Sequence, residues 1–156
     1  MCAIRLTERE NVQSDAGAER EIRDLIDRQV AAIRAKDLDG VTGDLGPDVV
    51  TFDAVAPLWQ AGSDASRTKT EAWLGSYDGP IRDEIRDLAV TAGQDVASAR
   101  YLYHVTGTLV EGARVDMWVR MTICLERVDG RWTITHEHTS VLFDAESGTA
   151  SLDLEP

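Results

Sequence analysis

The chain has 156 residues, enough for one ordinary domain and too few for two. Hydrophobic residues make up 43% and charged residues 28%, a balance typical of a folded globular domain and not of a disordered chain. The formal charge of -12 argues against a nucleic-acid partner and against an anionic membrane surface, because few cations are available to neutralise phosphates.

Neither a signal peptide nor a membrane-spanning segment is predicted, because no apolar run is long enough. The two cysteines, Cys2 and Cys124, are too few for a disulfide framework or a thiolate zinc site. We therefore expect a cytoplasmic protein. Residues 1–16 are expected to form a flexible leader, residues 17–143 a single domain, and residues 144–156 an acidic C-terminal arm or tail.

Residues 19–37 carry apolar side chains at helical spacing and predict an amphipathic helix. Gln29 lies seven residues after Ile22 and four after Leu25, so its amide points to the same face as the apolar side chains. Two interpretations stay open. Gln29 is either a residue at the edge of the apolar face, bonded to a backbone group, or a polar group that lines a cavity beneath the helix.

Shorter elements follow the first helix. Residues 36–48 predict a short helical turn, and residues 49–53 a brief apolar strand. A loop is expected over residues 54–66 and a helix over residues 67–80, capped by Ser or Asp and stopped by a Gly-Pro pair.

From residue 81 the pattern changes to the alternation of strands, predicted over residues 82–91, 96–110, 114–127 and 131–142. Helices followed by hairpins describe an α+β domain in which helices cover one face of a strongly curved antiparallel sheet. Such a sheet cannot fill its own concavity, so the cone that remains is a natural small-molecule pocket.

The elements follow one another in this order: a first helix, the KDLDG turn, a strand ending VVTFDAVAPLWQAG, a helix, and four long strands ending DGRWTITHEHTS. Their order resembles the nuclear transport factor 2-like superfamily, and within it the SnoaL-like group, which includes ketosteroid isomerases and polyketide cyclases. The resemblance covers roughly residues 18–142 and implies a cone-shaped curved sheet packed by N-terminal helices, a cystatin-like roll. This fold hosts many chemistries, and some members have none.

The resemblance also implies site residues. Asp53 stands where the ketosteroid isomerases carry their general-base aspartate, and Gln29 where they carry the tyrosine of the oxyanion hole. The acidic partner of that tyrosine would fall near Thr122 or Ile123, neither of which donates as a protonated carboxyl does. Glu137 falls where the cyclases and the limonene epoxide hydrolases place a catalytic aspartate. The alternatives are a loop cap for Asp53 and a surface carboxylate for Glu137.

The face of the last strand that points inward depends on the turn before it. A two-residue loop at 129–130 pairs Ile123 with His136 and turns His136 inward. A three-residue loop at 128–130 with a bulge pairs Ile123 with Thr135 instead, and the resemblance favours this second arrangement. It places two tryptophans on the convex face, which predicts a homodimer through that face because they would be exposed in a monomer. That convex face would carry Trp132, Ile134, His136 and His138 beside Trp118 and Arg120.

We therefore expect an enzyme in which Asp53 and Glu137 are catalytic and divide the work of acid and base. The expected substrate-binding side chains are Gln29, Trp59, Tyr101, Tyr103, Met121, Thr135 and Thr139. Under the other register, His136, His138 and Arg120 would line the pocket. The expected reaction is isomerisation, dehydration or cyclisation next to a carbonyl, and the alternative is a non-catalytic dimeric binding or assembly module.

The expected partner is a small, partly apolar carbonyl or hydroxyl compound, with no nucleic acid and no membrane. His136 and His138 could share a zinc ion with a third ligand, but no third ligand is evident, so no metal is expected. Proton transfer by carboxylates needs no redox cofactor either, so no cofactor is expected.

Overall fold

The structure is a computed structural model that describes residues 15–156. Most of the predicted leader over residues 1–16 lies outside the described residues. Its last two residues, Asp15 and Ala16, are the N-cap and the first residue of a helix and so belong to the domain.

The first helix, α1, spans Ala16–Ala35. It begins where the Asp15 carboxylate accepts hydrogen bonds from the backbone N–H groups of Gly17 and Ala18, at 2.8 and 3.1 Å, which otherwise have no partner in the helix. It ends at Lys36, whose φ of 52° is left-handed. The apolar face that the sequence predicts is buried, with Ile22, Leu25, Ile26 and Gln29 all turned to the interior.

Four elements follow in chain order: α2 (Leu38–Thr42), β1 (Leu45–Phe52), β2 (Gln60–Ala61) and α3 (Ser63–Gly75). The prediction for α3 is wrong at both ends, since the helix begins four residues before residue 67 and ends five residues before residue 80. Its N-cap is Gly62, with a φ of 96° and no side-chain cap bond, so the expected Ser or Asp cap is absent. The helix ends early because Tyr77 already pairs with Leu109 in the sheet.

The rest of the chain forms strands: β3 (Tyr77–Ala92), β4 (Val96–Leu109), β5 (Arg114–Val128), β6 (Arg131–Ser140), β7 (Leu142–Phe143) and β8 (Ala150–Ser151). Six strands make one sheet in the order β2-β1-β6-β5-β4-β3. All its neighbours are antiparallel except β1 and β6, which run parallel. The second sheet is the small β7–β8 hairpin, which takes up part of the predicted C-terminal arm.

The core lies between α1 and the concave face of the large sheet. Its fully buried members include Ile22 and Ile26 from the helix and Ile81, Ile123 and Ile134 from the strands. Burial of such side chains stabilises the fold by about 1.5–3 kcal/mol each. The predicted α+β fold, a curved and mostly antiparallel sheet packed by N-terminal helices, is confirmed.

The β5–β6 hairpin combines parts of both predicted registers. Its loop has two residues, Asp129 and Gly130, both with positive φ, and Val128 pairs with Arg131. Further along, the register shifts by one residue between Leu125 and Cys124. The extra residue is Thr135, as the register shows: Leu125 pairs with Ile134, Cys124 with His136, and Ile123 with Glu137.

The bulge corrects the expected outer face. Before Thr135 the even-numbered side chains of β6 point inward, so Trp132 is only 6% exposed and Ile134 is 0% exposed. The expectation that Trp132 and Ile134 lie on the convex face is therefore wrong. A prediction from the turn alone assumes that either the odd-numbered or the even-numbered side chains face the core along the whole strand. A bulge adds one residue, so the set of side chains that faces the core changes at that point.

None of the helices among residues 15–156 is both long and apolar enough to cross a membrane.

Candidate active site

A cavity of about 360 Å³ lies between α1, α3 and the concave face of the sheet. Most of its wall is apolar. The apolar lining residues are Ile26, Val30, Ile33, Val41, Leu45, Ala54, Val55, Trp73, Ile85, Val105, Met117, Val119 and Met121. This size and polarity are typical of sites for small molecules.

Glu137 of β6 is one of two carboxylates that the described residues place on the cavity wall. It follows the bulge and pairs with Ile123, which turns it to the concave face. Withdrawal from water raises the pKa of Glu137 to about 7, and the nearby charge of Asp53 acts in the same direction. The carboxyl has no hydrogen bond or ion pair with any residue from 15 to 156, so its oxygens remain available to a ligand.

Asp53, the second carboxylate, follows directly after β1 and is bound on both oxygens. Its Oδ2 lies 2.7 Å from Nζ of Lys69, on α3, and its Oδ1 accepts a hydrogen bond of 2.6 Å from the Ala54 backbone N–H. Lys69 also lines the cavity. The ion pair fixes Asp53 in place and supplies a local positive charge that offsets its negative charge.

Two tyrosines of β4, Tyr101 and Tyr103, also line the cavity. Burial raises the pKa of the Tyr101 hydroxyl, and the charge of Glu137 raises it further. Burial likewise raises the pKa of Tyr103, with Asp83 as a second cause. Both tyrosines therefore keep their protons at neutral pH and interact with a ligand as neutral hydroxyls.

Gln29 combines the two interpretations that the sequence left open. Its Nε2 donates a hydrogen bond of 3.2 Å to the Val41 carbonyl, and the same side chain lines the cavity. Met121 and Thr139 also lie on the wall, where the Thr139 hydroxyl contacts the Met121 sulfur at 2.9 Å. The structure thus brings Gln29, Asp53, Tyr101, Tyr103, Met121, Glu137 and Thr139 together around one cavity.

Trp59 and Thr135 do not reach the cavity, and their expected positions are wrong. Gln60 pairs with Thr51 and both line the cavity, so the preceding Trp59 points away and is 58% exposed. Thr135 is the bulge residue opposite Cys124, and its hydroxyl donates to the Cys124 carbonyl at 3.4 Å.

The alternative lining by His136, His138 and Arg120 is also absent. The His136 Nδ1–H donates to the Val50 carbonyl at 2.8 Å, while His138 and Arg120 are exposed. Within residues 15–156, no three His, Cys, Asp or Glu side chains converge as a metal site would require.

Sequence reasoning missed several wall residues on α3 and beside it. Ser66, Lys69, Thr70 and Trp73 line the cavity and lie at the spacing i, i+3, i+4 and i+7, which is one face of a helix. That spacing could have identified Lys69, had the helix been predicted to begin before residue 66. Thr51 lies next to Glu137 in the parallel β1–β6 pair, which no local pattern indicates.

The family model for the SnoaL-like domain matches residues 22–144. A nuclear transport factor 2-like protein of unknown function from Pseudomonas putida is 33% identical, with a TM-score of 0.85 over 92% of this chain and 99% of that one. A candidate dehydratase of the same fold family from Streptomyces avermitilis is 13% identical, with a TM-score of 0.70 over 80% of this chain and 96% of that one.

A ketosteroid isomerase-like protein from Erwinia carotovora atroseptica is 17% identical, with a TM-score of 0.69 over 81% of this chain and 97% of that one. At these low identities the last two structures show the fold alone. No curated protein is similar enough in sequence to match the chain. The family match and the structural likeness confirm the resemblance drawn from the sequence: the chain belongs to the SnoaL-like domain family, with the nuclear transport factor 2-like fold.

Proposed function

We propose that the cavity is the active site of an enzyme that moves a proton next to a carbonyl group of a small, partly apolar molecule. One observation carries this proposal: Glu137 faces an apolar cavity with no hydrogen-bond or ion-pair partner among residues 15–156, and its pKa is raised to about 7. A group with that pKa is present in both protonation states at neutral pH, so it can take a proton and return it.

In the proposed reaction, the Glu137 carboxylate removes a proton from the carbon beside the carbonyl. The electrons of the broken C–H bond form a carbon–carbon double bond, and the carbonyl electrons move to oxygen, which gives an enolate. The Tyr101 hydroxyl donates a hydrogen bond to the enolate oxygen. When the substrate carries a double bond between its β and γ carbons, the enolate is conjugated with it, and protonated Glu137 returns the proton to the γ carbon as the carbonyl re-forms. When the substrate carries a hydroxyl on the β carbon, Glu137 instead gives the proton to that hydroxyl, which departs as water as the enolate electrons form the new double bond.

Asp53 acts differently from what the resemblance implies. Both of its oxygens are already bound, one by Lys69 and one by the Ala54 N–H, so it is a poor candidate for the base. We assign it an electrostatic role, because its negative charge is one cause of the raised pKa of Glu137. Lys69 holds it in position, and Gln29 and Thr139 offer further hydrogen bonds to the ligand.

The chemistry can be tested without the natural substrate. Exchange of the protons beside the carbonyl can be followed by NMR in D₂O for a set of compact aryl and cyclic ketones. We expect the protein to accelerate exchange and Glu137→Gln to abolish the acceleration, while Glu126→Gln, an exposed carboxyl on β5, leaves it intact. Exchange no faster than in buffer for every ketone, or full activity of Glu137→Gln, would contradict the proposal.

The second candidate is a non-catalytic binding or assembly module. A cavity plugged by Trp59, Trp73 and Met121 would favour it. Instead Trp59 lies outside, and the cavity is open and has both carboxylates on its wall, which supports chemistry. Binding of ketones with no exchange would point to the module.

We further propose a homodimer through the convex face of the sheet, with a second copy of this chain as the partner. On that face the Trp118 ring stacks on His104 at 4.5 Å and lies 4.9 Å from the Arg86 guanidinium. Phe52, 42% exposed, lies nearly perpendicular to the rings of His136 and His138, with ring centroids 4.8 and 5.9 Å away. This surface is aromatic and carries both positive and negative charges, so two copies of it can pack their rings together and pair opposite charges across a two-fold axis.

A further inference from the structure

The buried carboxylate of Asp83, on β3, contacts two side chains: Arg34, which is half exposed, and Tyr103, which lines the cavity. The Asp83 side chain is 0% exposed, and its Oδ1 pairs with Nε of Arg34, which also donates from its guanidinium to the Asp83 backbone oxygen at 2.8 Å. The Tyr103 hydroxyl lies 3.0 Å from Oδ2. A carboxylate paired with a guanidinium has only acceptors, so Tyr103 is the donor in this bond.

This bond fixes how Tyr103 interacts with a ligand. A phenol has one proton, and here that proton is directed to Asp83, so the hydroxyl offers only its lone pairs to the cavity. Tyr101 is the opposite case. Its hydroxyl has no hydrogen-bond partner within the described part of the chain, so it can donate its proton into the cavity. The two residues share one face of β4, about 7 Å apart along the strand.

We infer that the cavity selects a compact ligand with two different polar groups: a carbonyl oxygen that accepts from Tyr101, and a hydroxyl or N–H group that donates to Tyr103. The apolar wall favours a hydrocarbon skeleton between them. The inference rests on the proposed use of the cavity as a small-molecule site, and it names the class of molecule, a hydroxy- or aminocarbonyl compound. It does not depend on proton transfer taking place.

Two ketones of similar size test this recognition. 4-Hydroxyacetophenone carries the donor and the carbonyl at opposite ends of a ring, and 4-methylacetophenone replaces the donor by a methyl group. Their affinities can be compared by calorimetry at about pH 6, where the phenol is neutral. An apolar cavity alone favours the methyl compound. We expect instead that the hydroxy compound binds more tightly, by about three- to tenfold.

The variant Asp83→Asn should change the Tyr103 hydroxyl from a hydrogen-bond acceptor into a donor toward the cavity. The amide oxygen keeps the contact with Arg34, and the amide nitrogen then donates to the Tyr103 hydroxyl. The tyrosine proton turns into the cavity. We expect this variant to gain about three- to tenfold in affinity for 4-methoxyacetophenone, which has an acceptor and no donor at that position. A merely damaged cavity would lose affinity and not gain it.

Two Tyr→Phe variants separate the positions and remain informative if Asp83→Asn fails to fold. Tyr103→Phe should remove the preference for the hydroxy compound. Tyr101→Phe should lower the affinity for both ketones by the same factor, so the preference for the hydroxy compound should not change. Equal or reversed affinities in the wild type, or binding of neither ketone, overturn the inference. Because only binding is measured, this result is independent of the proton-exchange test of the proposed function.

Discussion

Nζ of Lys69 lies 2.7 Å from Oδ2 of Asp53 on the wall of a cavity that Glu137 also faces. The ion pair gives the two carboxylates different electrostatic environments. Asp53 has a cation beside it, and Glu137 has none among residues 15–156. Two carboxylates in different environments can take different roles, and the raised pKa of Glu137 makes it the one that we propose exchanges protons near neutral pH.

Lys69→Met should change the pH dependence of the reaction. Without the cation, the negative charge of Asp53 is no longer offset by Lys69, so it raises the pKa of Glu137 further. We expect the pH profile of ketone proton exchange to move upward by about one unit. Lys69→Arg keeps the charge and should keep the profile close to that of the wild type. An unchanged profile in Lys69→Met would show that the ion pair does not act on Glu137.

Glu137→Gln should increase stability at neutral pH. The folded state holds the Glu137 proton more tightly than the unfolded chain, because the pKa is about 7 in the fold and 4.5 in its absence. The contribution of this group to the free energy of unfolding therefore falls as the pH rises through that window. We expect Glu137→Gln to be more stable than the wild type above pH 7, by about 2–3 kcal/mol, and the difference to vanish below about pH 4.5.

Urea unfolding of both proteins across this pH range measures the difference. Glu126→Gln, an exposed carboxyl on the neighbouring strand, is the matched control and should unfold like the wild type at every pH. A difference that does not depend on pH would mean that the fold does not shift the ionisation of Glu137.

Ile134→Ala tests the bulge in β6. Because Ile134 is fully buried before the bulge, its truncation leaves a cavity, and we expect a loss of about 2–5 kcal/mol in the free energy of unfolding. Arg131→Ala, at an exposed position of the same strand, should cost under about 0.5 kcal/mol. If urea unfolding gives similar losses of stability for the two variants, Ile134 does not point into the core, and the placement of the bulge is wrong.

Trp118→Lys tests the proposed dimer. We expect the wild type to sediment with twice the mass of the chain, and the variant to dissociate because each interface would receive two buried ammonium groups. Trp59→Lys, also on the surface but in the loop before β2, is the matched control and should remain a dimer. A monomeric wild type at micromolar concentration would exclude the dimer.

Periodicity predicts the α+β arrangement of helices over a curved sheet and part of the cavity wall, whereas Asp53 and Glu137 came from the family resemblance. Helical spacing predicts that Gln29 lies on the buried face of α1, and strand alternation predicts that Tyr101 and Tyr103 share one face of β4. Both predictions depend only on local backbone geometry. Thr135 escaped prediction because a bulge depends on how two strands fit over their whole length. Trp59 was misplaced because the pairing of β2 with β1, which sets its direction, is a contact between distant residues.

The ionisation of Glu137 can be measured directly by following its side-chain ¹³C signal in an NMR titration. We expect a midpoint at about pH 7, and a lower midpoint in Asp53→Asn that stays above 4.5, because the charge is removed and the burial is not. A midpoint near 4.5 in the wild type would contradict the role of Glu137 as the group that carries the proton.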